Sequence, residues 1–232
     1  MHTLQTILLV GPILLFSMIA HEYAHGYAAL RQGDQTAQRL GRLTWNPLRH
    51  VDPFMTIILP LMIGIASNWH VVLGGAKPVP VNPANYRNYR RGDIIVSLAG
   101  VTANLVIALG CVVGVAIVGK LGAALPALEG VLGILQAMLI FGLWINLLLL
   151  AFNLIPIPPL DGSHVVKHLL PPAWAVRYEA VGRYGIVILV ALLWFGGSFF
   201  NAWLQPVVHA GAFLQGLVSP FVIPAAQGWM PQ

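Results

Sequence analysis

Long uncharged apolar runs, separated by short polar stretches rich in proline and glycine, set the pattern of this chain. Leu4–Ala20 carries no charged side chain, Ile94–Val118 is a second such run of 25 residues, and Gly130–Ile155 a third of 26. At about 1.5 Å per residue, each of the last two is long enough to cross a hydrocarbon core of about 30 Å as a helix. Tyr184–Leu204 reads as a further span. Val207–Ala226 is apolar but bracketed by Pro206, Pro220 and Pro224, so its crossing is left open. Pro53–Leu73 is apolar but interrupted by Pro60 and Gly64, which suits either a span or a segment that dips in and returns.

The connections carry their own signals. Arg31–Asp52 is turn-rich, with Gly33-Asp34, Gly41 and Asn46-Pro47, and its run Arg39–Trp45 predicts an extended ribbon at the membrane surface. Gly74–Pro83 contains Pro78, Pro80 and Pro83, each of which removes a donor and pushes the preceding residue to extended backbone, so it is loop or strand-like. Leu169–Gly182 reads as a polar connection. The expected fold is an all-α polytopic membrane protein. It is a helical bundle of about four to six membrane segments, with a re-entrant or hairpin excursion and short extended surface segments.

Composition agrees with that pattern. Of 232 residues 58% are hydrophobic and only 8% charged, against about 25% charged in soluble domains. The net charge of +5 comes from basic residues scattered through the loops, which fits orientation in a bilayer and argues against a nucleic-acid partner. Cys111 is the lone cysteine and lies in an apolar run, so no disulfide framework exists. The first run lacks a basic leader and a small-residue cleavage site, and is expected to be retained.

Candidate chemistry stands at the end of that first run. His21-Glu22-Tyr23-Ala24-His25 places two imidazoles four residues apart, about 40° apart on a helical wheel and about 6 Å along its axis. That is the spacing of H-E-x-x-H, with two nitrogen ligands for Zn2+ on one face and Glu22 placed to take a proton from water. Ionisable groups at membrane depth cost about 2.5–3.5 kcal/mol each on insertion scales, so three within five residues point to use and not to packing. The third apolar run ends in Asn153-Leu-Ile-Pro-Ile-Pro-Pro-Leu-Asp161-Gly162, where prolines stop the helix and leave Asp161 in an irregular segment.

Taken together, His21–His25, the segment Gly74-Gly-Ala-Lys-Pro-Val-Pro-Val-Asn-Pro83 and the motif Asn153–Gly162 resemble the site-2 protease family of intramembrane zinc metalloproteases. The resemblance covers most of residues 15–165. It implies one zinc per chain held by His21, His25 and Asp161, with Glu22 as general base and Asn153 near the substrate carbonyl. Ser97–Asn104 is similar to that family's A-G-P-x-x-N segment, with Val101 where proline is common. The chain has no room for the PDZ domain that some members insert. The implied organisation is a single membrane protease domain over 1–232, with a catalytic core of about 4–165 and C-terminal membrane helices of about 183–226. The implied partner is a transmembrane substrate, which has to unwind before attack. Gly74, Gly75, Lys77, Pro78 and Val79 are candidates for binding its exposed backbone by strand addition. A membrane metal or proton carrier using the same His, Glu and Asp side chains is the alternative.

Shared ligation also constrains topology. If His21, His25 and Asp161 lie at one depth, Ile94–Val118 runs outward and Gly130–Ile155 inward, so Pro53–Leu73 makes no net crossing. Eleven of the twelve Lys and Arg residues, all but Lys120, then face the cytoplasm. The expected location is the plasma membrane of a prokaryote, with the active site toward the cytoplasmic side.

Overall fold

The computed structural model describes residues 2–58, 62 and 75–229. Nine α-helices are described: α1 (His2–Gln32), α2 (Thr36–Arg39), α3 (Tyr89–Ala124), α4 (Glu129–Asn153), α5 (Asp161–Leu169), α6 (Pro172–Val181), α7 (Gly185–Phe195), α8 (Gly197–Val218) and α9 (Pro224–Gln227). No strand occurs among the described residues. Three stretches are long and apolar enough to cross a bilayer, Leu8–Gln32, Tyr89–Ala124 and Pro126–Asn153, so this is a helical membrane protein. The excursion expected over Pro53–Leu73 falls largely outside the described residues; its start, Pro53–Ile58, is a π-helical turn.

By contacts the chain divides into two compact units, Met1–Leu14 with Asn104–Gln232, and Leu15–Ala103. In the first, α3 and α4 approach closely because the seam carries small side chains. Ala108 and Cys111 pack with Leu143 and Leu147, and a Cβ added at Gly142 would stand 2.8 Å from the Cys111 sulfur. Lipid is as apolar as these side chains, so close packing and interhelical hydrogen bonds hold such a bundle, not transfer out of water. The hydrogen bonds are present. Asn104 Nδ2 donates to Asn146 Oδ1 at 2.9 Å, and Asn146 Nδ2 donates to the Gly142 carbonyl at 2.8 Å. Gln136, fully buried, donates to the carbonyls of Val115 (3.0 Å) and Phe221 (2.8 Å) and accepts from the Ile223 amide (2.9 Å). The chain leaves helical pairing around Ser219–Phe221, and this one amide side chain supplies the partners its backbone loses.

Three expectations for this unit are corrected. Tyr184–Leu204 is not one span: α7 stops at Phe195 and α8 begins at Gly197, because the poor helix formers Gly196-Gly197 meet in mid-run. Pro206 does not bound the tail but lies inside α8. Leu169–Gly182 is mostly helix, with Pro172 at the first position of α6, where a missing N–H costs nothing.

The second unit is built on the distal part of α1. Gly33, at φ 116°, ends α1 in a Schellman turn, with Gly33 N–H on the Leu30 carbonyl (3.1 Å) and Asp34 N–H on the Ala29 carbonyl (2.9 Å). The same device recurs at Gly41, φ 63°, with Gly41 N–H on Gln38 and Arg42 N–H on Ala37. This second turn is why the extended ribbon expected over Arg39–Trp45 does not form: Arg39 closes α2, and the chain then reverses, with no strand paired to it among the described residues. Ala29, Tyr86 and Val96 form the small apolar core, joining α1 to the start of α3.

Asp34, fully buried, ties these pieces together. Its carboxylate accepts from the Thr36 amide and hydroxyl, from the Asn82 amide at 2.7 Å and from Asn85 Nδ2 at 2.8 Å. Burial alone would raise its pKa, but these donors outweigh burial and hold the carboxyl below its ordinary value. Tyr86 moves the other way: burial, then the charges of Asp93 and Asp34, push its hydroxyl up.

Candidate metal centre

On α1 the motif histidines converge as the helical spacing requires. Their Nε2 atoms stand 2.9 Å apart and their rings meet edge to face, with centroids 4.5 Å apart. Two ligands at the corners of a zinc tetrahedron, each about 2.0–2.1 Å from the ion, lie about 3.3 Å apart. The pair is therefore a few tenths of an ångström from bidentate geometry.

The start of α3 orients and makes room for this pair. His25 Nδ1 lies 2.7 Å from the Val96 carbonyl. Only an N–H can pair with a carbonyl, so Nδ1 carries the proton and the Nε2 lone pair points toward His21. One turn on, Gly100 faces the rings: a Cβ there would stand 2.5 Å from His25 Nε2 and from His21 Cε1, and 2.7 Å from His21 Nδ1. The imidazoles thus occupy a cradle that any other residue would fill. An imidazole oriented by that bond beside a second one, in a space kept open by a glycine, suits a borderline-soft cation such as zinc.

Glu22 is pinned from the opposite side. Its Oε2 accepts from the Val79 amide at 2.7 Å, while the buried Val79 side chain packs over Gly26 of α1, where a Cβ would come within 2.7 Å of both Val79 Cγ1 and Leu43 Cδ2. The segment carrying Val79 is fixed along its length. Thr56 Oγ1 donates to the Gly75 carbonyl at 2.7 Å, the Lys77 amide to the His50 carbonyl at 2.7 Å, and Arg42 Nη2 to the carbonyls of Lys77 (3.0 Å) and Pro78 (3.3 Å). Lys77 and Pro78 themselves are exposed, and Gly74 lies outside the described residues.

Two further residues belong to the other unit. Asn153 is the last residue of α4, and its Nδ2 donates to the Leu149 carbonyl at 2.9 Å, a bond within its own helix. Asp161 is not in irregular chain, as its prolines suggest, but opens α5, where a carboxylate suits the positive end of the helix dipole.

Several contributors escape a sequence reading. Gly100 reads as the glycine of the segment similar to A-G-P-x-x-N, with nothing to show that it makes room for the rings, and Arg42 as one more basic loop residue. His50 reads as incidental, yet it is fully buried, with Nε2 2.8 Å from the Thr44 carbonyl and its own carbonyl on Lys77. For Arg42 and His50 the available signal is the density of turn-forming residues over Arg31–Asp52.

With this geometry established, comparison with known proteins gives the class. A sequence model described as peptidase family M50 matches residues 10–196, and the chain belongs to that family, the site-2 proteases. Among its relatives is YwhC of Bacillus subtilis (strain 168), provisionally named a zinc metalloprotease, 34% identical over 200 residues that cover 85% of this chain and 84% of YwhC. Rip2 of Mycolicibacterium smegmatis, provisionally named in the same way, is 34% identical over 179 residues, covering 77% of this chain and 64% of Rip2. Rip2 of Mycobacterium tuberculosis (strain H37Rv) is 29% identical over 199 residues, covering 84% and 69%. No solved structure matches at significant similarity. Membership of a peptidase family leaves the carrier alternative without support.

Proposed function

We propose that this chain is an intramembrane zinc metalloprotease that hydrolyses peptide bonds in or near the transmembrane segments of other membrane proteins. The observation that carries this reading is the arrangement on α1: two converging imidazoles, one with its tautomer set by Val96, and between them in sequence a carboxylate with one oxygen pinned by Val79. His21, His25 and Asp161 hold one zinc ion per chain. A bound zinc supplies Lewis acidity, polarising the scissile carbonyl and bringing the pKa of water down to about 7. Glu22, held through Oε2, keeps Oε1 for the proton of the attacking water and returns that proton to the leaving amide nitrogen. Asn153 gives up its helix bond to Leu149 and steadies the carbonyl oxygen as charge develops.

The unwound substrate lies beside the segment 74–79, against Gly74, Gly75, Lys77, Pro78 and Val79. That His21, Glu22 and His25 lie in a stretch long and apolar enough to cross a bilayer supports a site within the membrane. The bias of basic residues supports the plasma membrane of a prokaryote, with the site toward the cytoplasm.

Zinc stoichiometry of the detergent-purified chain tests the ligand set without a known substrate. Wild type is expected to hold close to one zinc, and His21→Ala and Asp161→Ala far less. Wild-type zinc in Asp161→Ala would remove Asp161 from the site. Cleavage of a transmembrane-segment peptide by wild type and not by Glu22→Gln then tests the chemistry.

A further inference from the structure

Ala76–Pro83 is unusual in how little free hydrogen-bonding capacity it has. Pro78, Pro80 and Pro83 have no N–H, which leaves five amides, those of Ala76, Lys77, Val79, Val81 and Asn82. Three of these have acceptors inside the protein: the His50 carbonyl for Lys77, Glu22 for Val79 and Asp34 for Asn82. Two successive carbonyls, those of Lys77 and Pro78, are taken by one guanidinium nitrogen of Arg42, whose Nε is itself buried. A strand-adding edge offers its donors to a visitor. Here most of them are already used.

The arrangement is a strap with two anchors and one working contact. Arg42 fixes the strap immediately before Val79, and Asp34 fixes it three residues after. Between the anchors, prolines on both sides of Val79 hold φ near −65° and keep the backbone extended, so the Val79 amide has little freedom to leave Glu22. Hydrogen bonds to charged groups are the stronger kind, and both anchors are of that kind. Arg42 and Asp34 both bind the strap itself, and act on Glu22 through it.

We propose that Arg42 and Asp34 are positioning residues for Glu22, delivering the Val79 amide to its carboxylate so that one oxygen is fixed and the other is aimed. This rests on the reading of Glu22 as the general base, and the test separates the two.

The first measurement is hydrogen–deuterium exchange of the full chain in detergent, followed over the five amides of 76–82. The Val79 amide is expected to exchange at least tenfold faster in Glu22→Ala and in Arg42→Ala than in wild type, with α3 protection unchanged as a control for folding. Arg42→Lys keeps the charge and one donor and falls between them. Asp34→Asn is a second variant in which the Asn82 amide exchanges faster. The second measurement uses a transmembrane-segment peptide cleaved by wild type and not by Glu22→Gln. Arg42→Ala is expected to lower kcat at least tenfold with unchanged KM and full zinc, partly recovered in Arg42→Lys. A Val79 amide as slow in Arg42→Ala as in wild type overturns the proposal. Zinc loss in that variant also overturns it, because Arg42 would then act on the metal ligands. If wild type cleaves no such peptide, the protease reading fails, while the exchange result still decides whether the strap holds Glu22.

Discussion

Replacing Gly100 with alanine tests the centre at its tightest point. The added Cβ would lie 2.5 Å from His25 Nε2 and His21 Cε1 and 2.7 Å from His21 Nδ1, where ordinary contact begins at 3.4 Å. The rings must therefore retreat by about 1 Å, whereas ligand distances tolerate only about 0.2 Å. His25 cannot turn aside cheaply, because its Nδ1 proton is committed to the Val96 carbonyl at 2.7 Å. Losing such an outer partner alone costs about 10–100-fold in metal affinity, and displacing Nε2 costs more. The substitution is otherwise mild: alanine in a helix interior is favoured over glycine by about 1 kcal/mol, which offsets part of the about 1–3 kcal/mol of overpacking. Gly100→Ala is thus expected to remain folded and to lose zinc by at least 100-fold in affinity. Elemental analysis and competitive chelation, alongside a thermal melt of the metal-stripped protein, measure the two separately. Wild-type zinc affinity in a folded Gly100→Ala protein would refute the cradle.

Two other predictions concern the scaffold. Gln136→Leu leaves the Phe221 carbonyl and the Ile223 amide without their buried partner. At about 1–3 kcal/mol for each orphaned group it should destabilise the chain by about 2–6 kcal/mol, read by denaturant unfolding in detergent; a loss under about 1 kcal/mol would contradict that role. Asp34 has a folded pKa below its ordinary 3.8, so the stability it contributes is complete above that value and is lost as pH falls through the lower folded value. Thermal melts from about pH 6 down to about pH 3 should show an acid loss in wild type that Asp34→Asn, weaker throughout, lacks; parallel curves for the two proteins would count against it.

What was legible in the sequence follows from the range of the forces involved. The apolar runs behind α1, α3 and α4 are local and long, so the presence of all three helices was readable; α4 was readable nearly to its ends, whereas α1 runs on to Gln32 and α3 extends from Tyr89 to Ala124, past the uncharged runs that mark them. The histidine pair was readable because four residues on a helix fix two side chains relative to each other without help from the rest of the fold. Reading failed where a distant partner decides. Gly196 breaks a run that hydropathy treats as continuous. Arg39–Trp45 has strand-like residues but no strand beside it among the described residues. Gly100 owes its importance to rings about 75 positions earlier, and Arg42 to carbonyls 35 and 36 positions later. No local pattern marks Arg42, and the motif-like segment 97–104 marks Gly100 without showing what the glycine makes room for.

The two services that α3 gives to the histidines, the Val96 carbonyl and the clearance at Gly100, sit four residues apart, about 40° of rotation and about 6 Å of rise on one rigid rod. They are locked in phase. Deleting or inserting one residue between them would swing one element about 100° away from the other and send a side chain into the rings as the carbonyl departs. A substitution between them, unlike an insertion, leaves that phase intact. Over evolutionary time this stretch of α3 should therefore behave as a fixed-length ruler, intolerant of any change in count.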